Sequence, residues 1–105
     1  MIKILIVTDD AQKWFKRISD DCRITSQRTN SFSKSTTLYT NNLLAFEIRS
    51  SFPDSMRGAC YSCAVFDKFI NHDTEIRIRC CVKTSIIRTK NYYDEMMKNR
   101  RYSYG

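Results

Sequence analysis

The sequence contains very little glycine, proline and histidine: two Gly, one Pro and one His in 105 residues. Two glycines cannot build the Gly-x-x-x-x-Gly-Lys-Ser/Thr loop that cradles nucleotide phosphates. The chain also lacks an apolar run long enough to span a membrane, because its first apolar stretch is short and is followed by Asp9 and Asp10. We therefore expect neither a phosphate-loop ATPase nor a membrane partner.

Cysteine is present in an odd number, five, and the amino terminus does not resemble a secretion signal. This combination predicts free thiols and a reducing, cytoplasmic location. Four of the cysteines could be zinc ligands by their number: Cys60, Cys63, Cys80 and Cys81. Cys60 and Cys63 would point to opposite faces if both belong to one strand. We therefore expect no zinc and no other cofactor.

The first third of the chain predicts a strand followed by a helix. Ile2–Val7 is a nearly continuous β-branched run, typical of a strand buried on both faces. The acidic pair Asp9-Asp10 offers an N-cap, and the apolar residues that follow recur on one face of a helix over Ala11–Asp21. Residues 22–28 are the natural second strand, which completes the beginning of a βαβ unit.

The middle of the chain predicts a β-hairpin and one more buried strand. Residues 36–40 and 43–50 flank Asn41-Asn42, and asparagine tolerates the positive φ of a tight hairpin turn. After a loop around Pro53, the apolar residues 60–66 predict a short buried strand.

The last third predicts one further strand and a terminal helix. Between residues 76 and 83 apolar and basic residues alternate, which favours a half-buried strand, although a helix through the same residues stays open. Residues 91–101 have the composition of a helix, and residues 100–105 are expected to fray. The chain is thus predicted to be one α/β domain over residues 1–105: a small mixed sheet of parallel strands plus one antiparallel hairpin, with a helix after strand 1 and a C-terminal helix.

The net charge of +7 is concentrated in the last thirty residues. Residues 1–75 hold ten basic and nine acidic side chains, whereas residues 76–105 hold eight basic and two acidic ones. Cations beside tyrosines suit a single-stranded nucleic acid, since cations neutralise phosphates and aromatic rings stack on bases. The candidate contacts are Arg77, Arg79, Lys83, Arg88, Lys90, Lys98, Arg100, Arg101 and Tyr102. A solvated basic surface is the open alternative.

Asp67 is the residue whose position in the sequence most resembles that of a residue in a ligand-binding site. It ends the apolar run of residues 64–66, and in nucleotide-hydrolysing α/β proteins such an aspartate holds Mg²⁺ while a following Glu polarises the attacking water. Here Lys68 follows, and a lysine is no base near neutral pH without a large pKa shift. We therefore expect no magnesium nucleotide and no catalytic residue.

The order of hairpin, Ser-Ser-Phe-Pro-Asp-Ser-Met-Arg-Gly loop and apolar strand ending in Asp67 resembles the middle of the ATPase domain of phage large terminases. The resemblance covers about residues 1–70. It implies that Asp67 stands at the Walker B aspartate and Arg57 in the loop before it. The phosphate-binding loop and the catalytic Glu are missing, and the segment after Phe69 is too short for the family's next helix. A degenerate, non-hydrolytic, phage-encoded fragment in the host cytoplasm is what the resemblance implies.

These observations together predict a small non-catalytic protein that binds nucleic acid through its basic C-terminal half. The competing hypothesis is a protein–protein interaction module. Such a module would be an inhibitor or adaptor docking on a host or phage protein, or a homodimer formed through an edge strand.

Overall fold

The computed structural model describes residues 1–32, 34–56 and 58–104, with side chains described up to residue 99. These residues form six strands, β1 Ile2–Val7, β2 Ile24–Asn30, β3 Ser35–Thr40, β4 Leu44–Arg49, β5 Cys63–Phe66 and β6 Ile86–Arg88. The helices among them are α1 Ala11–Asp21, α2 His72–Arg79 and α3 Lys90–Tyr104, with a short 3-10 turn at Asp54–Met56. The strands make one mixed sheet in the order β2-β3-β4-β1-β5-β6. The predicted α/β class, with its parallel strands and antiparallel hairpin, is confirmed.

Strand β1 lies in the middle of the sheet, parallel to β4 on one side and to β5 on the other. Its residues Leu5, Ile6 and Val7 are at most 1% exposed. Ile6 packs with Ile18 of α1 on one face of the sheet, while Leu5 and Val7 belong to the core cluster on the other face. The β-branched run therefore indicated burial on both faces correctly.

Helix α1 begins and ends where its periodicity predicts. The carboxylate of Asp10 accepts a hydrogen bond from the backbone N–H of Lys13 and caps the helix. The N–H of Cys22 still bonds to the carbonyl of Ile18, so the next strand starts only at Ile24, two residues later than predicted. This strand, β2, pairs only with β3 and lies at one edge of the sheet.

The predicted hairpin is formed by β3 and β4, which pair antiparallel from Ser35 opposite Arg49 to Tyr39 opposite Ala45. The positive φ of its turn is not on either asparagine. It falls on Leu43, at +61°, because the connection has three residues and the third of them takes the left-handed conformation. The Leu43 side chain is 69% exposed.

The half-buried strand predicted at residues 76–83 is wrong, and the open alternative of a helix is right up to Arg79. The side chain of Asn71 accepts a hydrogen bond from the Thr74 N–H and caps α2. Ile76 is 48% exposed while Ile78 is fully buried, which is the outcome of a helix and not of period-two alternation. A local capping residue thus outweighed a short alternating pattern.

The strand predicted at residues 60–66 begins only at Cys63, and β6 was not predicted at all. Residues 60–62 run alongside the chain that follows α2, where Tyr61 forms an isolated parallel bridge with Val82. Strand β6 then pairs in parallel with β5 over three residues. Three residues are too few for a periodic pattern to stand out in a sequence.

Helix α3 confirms the predicted terminal helix, and it starts one residue earlier than expected. The predicted fraying of residues 100–105 falls where side chains, and Gly105 altogether, lie outside the described residues. In the described part of the chain, no helix combines the length and the apolar character that a membrane crossing requires.

Candidate functional site

Asp67 lies just beyond the carboxyl end of β5 and is 2% exposed. Its Oδ2 accepts three hydrogen bonds, from the Thr8 hydroxyl at 2.9 Å, the Lys13 ammonium at 2.8 Å and the Trp14 indole N–H at 2.9 Å. Its Oδ1 accepts a fourth, from the Thr89 hydroxyl at 2.8 Å. One carboxylate therefore joins the end of β1, the first turn of α1 and the junction between β6 and α3.

These donors keep the Asp67 carboxylate ionised. Burial by itself would raise the pKa of Asp67, but the hydrogen bonds from Lys13, Trp14, Thr89 and Thr8 outweigh burial and lower the pKa below its usual value. Because Oδ2 already accepts three bonds, a magnesium ion could bind there only by displacing donors such as Lys13. In this conformation the carboxylate is engaged by its neighbours.

The sequence interpretation found Asp67 but none of its partners. Thr8, Lys13 and Thr89 are polar residues next to strand ends or in a first helical turn, positions that carry no distinctive pattern. Trp14 fits the apolar face of α1, so its indole N–H was not considered. The signal available was the placement of Thr8 and Thr89 directly after strands that are parallel to β5, since such ends meet at one edge of a sheet.

An open groove of about 550 Å³ lies beside Asp67, between α1 and the start of α3. We call it the α1–α3 groove; its lining includes Lys13, Trp14, Arg17, Lys90 and Asp94. The Lys13 ammonium and the Arg17 guanidinium lie 5.7 Å and 5.6 Å from the centre of the Trp14 ring system. Lys90 pairs with Asp94 at 2.9 Å on the exposed surface of α3. The groove thus places three cations and the acid Asp10 around the only tryptophan of the chain, and two of the cations, Lys13 and Lys90, are paired with Asp67 and Asp94.

Three of the arginines that were predicted to contact nucleic acid are engaged within the protein by a carboxylate or by a backbone carbonyl. The Arg88 guanidinium lies 2.6 Å from the Glu75 carboxylate, and Arg79 bonds the same carboxylate at 3.1 Å. Burial opposes ionisation of Glu75, yet its two arginine partners lower the pKa of this group. Arg77 donates to the Phe52 carbonyl at 3.1 Å. Because α2 is a helix that ends at Arg79, the predicted contacts Arg77, Arg79 and Lys83 do not share one face of a strand.

The remaining predicted contacts divide into two groups. Lys83 and Lys98 are exposed and have no acidic partner among the described side chains, and Lys90 lines the α1–α3 groove. The side chains of Arg100, Arg101 and Tyr102, and the whole of Arg57, lie outside the described residues.

A second buried polar cluster surrounds Glu47 in β4, and the sequence did not indicate it. Glu47 Oε2 accepts hydrogen bonds from the Tyr61 hydroxyl and, at 3.1 Å, from Arg49, while Oε1 lies 3.1 Å from the Lys3 ammonium. Burial, followed by the hydrogen bond to Glu47, strongly raises the pKa of Tyr61. Arg49 also donates to the Ser51 carbonyl at 2.7 Å, so this cluster holds the chain that leaves β4.

The described residues include no group of three His, Cys, Asp or Glu side chains that could hold a metal ion together. All five cysteines are free thiols, and only Cys81 is buried. Comparison with known proteins assigns the chain to no family: no protein family, curated protein or solved structure matches it.

Proposed function

We propose that this chain is a non-catalytic nucleic-acid-binding protein of the cytoplasm that holds a single strand along the α1–α3 groove. The observation that carries the proposal is the meeting of Lys13, Arg17 and Lys90 around Trp14 in one open groove. Cations that follow a phosphate backbone and an aromatic ring within reach of bases are the two elements of single-strand binding without sequence preference.

The charge along α3 extends this surface. Lys90, Asp94 and Lys98 are spaced by four residues, so they share one face of the helix. Beyond Glu95 the sequence contains Lys98, Arg100 and Arg101 and no acidic residue. The acid that lies deepest in the groove, Asp67, is already compensated by its four donors. An approaching polyanion therefore meets a surface whose positive charge increases along α3.

The cations expected to bind the nucleic acid differ from those predicted from the sequence. Arg79 and Arg88 share the Glu75 carboxylate and Arg77 donates to the Phe52 carbonyl, and none of the three is part of the described lining of the α1–α3 groove. Lys13 and Arg17 of α1, which were not in the predicted set, replace them. Lys90 and Lys98 stay in the set.

The absence of catalysis and the kinship with phage terminases are part of the same proposal. Asp67 follows a strand that is parallel to β1, as a Walker B-like residue would, which supports a degenerate fragment of that family. Its carboxylate is engaged by four donors, and Lys68 follows it where the family has a catalytic Glu. Both features support binding without hydrolysis, in the host cytoplasm if the chain is of phage origin.

The test is fluorescence anisotropy of a labelled single-stranded oligonucleotide across a salt series, with the fluorescence of Trp14 as a second signal. We expect Arg17→Gln combined with Lys98→Gln to weaken binding and to reduce the salt slope by about 1.4 log units per log salt, since each phosphate contact to a single strand contributes about 0.7.

The matched control removes the same charge elsewhere. Arg28→Gln combined with Lys34→Gln changes two exposed cations on and beside the edge strand β2. This control should keep the wild-type salt slope and the wild-type quenching of Trp14. Equal losses in both double variants would show that net charge and not the groove drives binding, and flat traces at low salt would reject nucleic-acid binding altogether.

The alternative function, a protein–protein module, is favoured by one observation at the other edge of the sheet. Among the described strands β6 pairs only with β5, and Ile87 of β6 and Tyr93 and Met97 of the helix that follows it are 53%, 49% and 52% exposed. A second copy could add its own β6 antiparallel about a two-fold axis, with Ile87 facing its equivalent. Light scattering across a concentration series tests this: a dimer that Ile87→Lys abolishes would support it, and a monomer at all concentrations would reject the homodimer.

A further inference from the structure

A separate cavity of about 280 Å³ lies at the carboxyl ends of the three central parallel strands. Val7 ends β1 there, Ser50 and Ser51 follow β4, and Lys68 stands just beyond β5. From β1 the chain passes into α1 on one face of the sheet, whereas from β5 it passes into α2 on the other face. Such a reversal is where open α/β sheets bind ligands. We call this space the switch-point cavity.

One donor in the wall of the switch-point cavity lacks an acceptor. The Nη2 group of Arg77 donates to the Phe52 carbonyl and to the Thr74 hydroxyl, each at 3.1 Å. Its Nε–H is buried and has no hydrogen-bond partner among the described residues. The carboxylate of Asp54 lies 3.9 Å away, too far for a hydrogen bond. A buried, unpaired guanidinium N–H is costly, and an acceptor bound in the cavity would remove this cost once the Arg77 side chain turns its Nε–H toward it.

A second cation, Lys68, is part of the lining of the same cavity. The Lys68 ammonium donates to the Asp9 carboxylate at 2.8 Å and to the Ser50 carbonyl at 3.0 Å. An ammonium has three hydrogens, so one donor remains. The cavity lining also contains the Ser50, Ser51 and Thr74 hydroxyls, and no acidic side chain is part of the described lining.

We propose that the switch-point cavity binds a small phosphate-type oxyanion between Arg77 and Lys68. The guanidinium of Arg77 and the ammonium of Lys68 can both donate hydrogen bonds to phosphate oxygens. The hydroxyls of the lining can donate to the remaining oxygens. The cavity is at the small end of ligand sites, which fits inorganic phosphate or a small phosphorylated molecule. This site shares no lining residue with the α1–α3 groove, so it does not depend on the proposed nucleic-acid binding.

The experiment uses inorganic phosphate as the probe, with ionic strength held constant by sodium chloride. Nitrogen-15 NMR of the full chain follows the arginine Nε–H resonances during the titration, and calorimetry measures the same binding. We expect saturable binding that moves the Arg77 Nε–H signal. Arg77→Gln should weaken phosphate binding by about tenfold or more, because a charge-assisted hydrogen bond is lost.

Two further variants separate the site from general charge effects. Arg79→Gln, which removes an exposed cation from the same helix two residues away, should leave phosphate affinity unchanged. Lys68→Gln should weaken it, and it keeps the test valid if Arg77→Gln does not fold. The proposal would be overturned if phosphate caused no saturable shift of the Arg77 Nε–H resonance, or if chloride alone caused an identical shift.

A last comparison distinguishes a small ligand from a nucleic-acid backbone. If an oligonucleotide moves the Arg77 resonance and free phosphate does not, the small-ligand site is rejected and the cavity becomes part of the nucleic-acid surface. The groove variant Arg17→Gln should not change phosphate binding, so loss of nucleic-acid binding and loss of phosphate binding are separable outcomes.

Discussion

Asp67 and Glu47 are both buried carboxylates beside β1, and the structure surrounds them in different ways. Glu47 sits within β4 and is held by Arg49, which is itself 1% exposed, by the Tyr61 hydroxyl and by Lys3. Asp67 sits beyond the end of its strand and is held mostly by neutral donors, with one partly exposed cation, Lys13. Both carboxylates are nearly inaccessible, but the partners of Glu47 include a fully buried guanidinium, whereas the one cation that holds Asp67 is half-exposed beside the α1–α3 groove.

Because of this difference, we expect Glu47 to have a structural role and Asp67 to have a role that can be coupled to ligand binding. Removing Arg49 takes away the buried guanidinium that holds Glu47 and leaves the Lys3 ammonium, whose side chain is 41% exposed, as its cation. Removing one neutral donor of Asp67 leaves the half-exposed Lys13 ammonium in place beside the α1–α3 groove. The comparison therefore predicts larger stability effects around Glu47 and a closer link to ligand binding around Asp67.

The largest effect is expected at Arg49. Arg49→Met keeps the length of the side chain but leaves Glu47 buried without its guanidinium, which costs about 3 to 5 kcal/mol in free energy of unfolding. Urea denaturation followed by Trp14 fluorescence measures this change. As a control, Lys3→Gln removes a cation that is 41% exposed and should cost about 1 kcal/mol or less. Equal losses in the two variants would contradict the enclosed character of the Glu47 cluster.

A smaller effect is expected at Asp67. Asp67→Asn keeps the shape of the side chain but removes its charge and replaces one of its two acceptor oxygens with an NH2 donor, which costs about 1.5 to 3 kcal/mol of unfolding free energy by the scale of hydrogen bonds to charged groups. Because Trp14 donates directly to this carboxylate, its emission should change in the same variant. A stability equal to that of the wild type would mean that the four donors contribute no more than solvent does.

The smallest and most specific effect is the pH dependence of the difference in unfolding free energy between the wild type and Asp67→Asn. The pKa of Asp67 is lower in the folded chain than in the unfolded chain, where it is about 3.9. The stabilisation is therefore fully present above the unfolded pKa and is lost as the pH falls through the folded pKa. The gap in unfolding free energy between wild type and Asp67→Asn should be constant from neutral pH to about pH 5 and narrow below about pH 4. Urea titrations at several pH values measure it, and a gap that widens in acid would contradict the depressed pKa.

The elements that the sequence predicted well are those with a long, local signal. The β-branched run of Ile2–Val7 and the apolar face of Ala11–Asp21 each extend over several repeats, so their boundaries could be assigned from neighbouring residues alone. The hairpin had an alternating strand over residues 43–50 directly after the asparagine pair of its turn. By contrast, α2 and β6 have eight and three residues, and a pattern of that length fits more than one structure.

Of the residues that form the hydrogen-bonded cluster around Asp67, only Asp67 was predicted from the sequence. Asp67 could be found because an acid directly after an apolar strand is a local pattern. Thr8, Lys13 and Trp14 lie more than fifty positions away in the sequence, and they reach Asp67 only because β1 pairs with β5. The basic residues after position 76 were predicted as one surface, but the helical turn of α2 brings Arg79 to Glu75, and Arg88, at the end of β6, reaches the same carboxylate.

Composition and short-range periodicity were sufficient to predict the class of the fold, the central strand, the first helix and the excess of positive charge. Which of the charges are available and which are neutralised depends on contacts between residues that are distant in the sequence. The physical reason is that hydrogen bonds and ion pairs act over a few ångströms in space, so the partners of Asp67, Glu47 and Glu75 are set by which strands lie side by side and not by order along the chain.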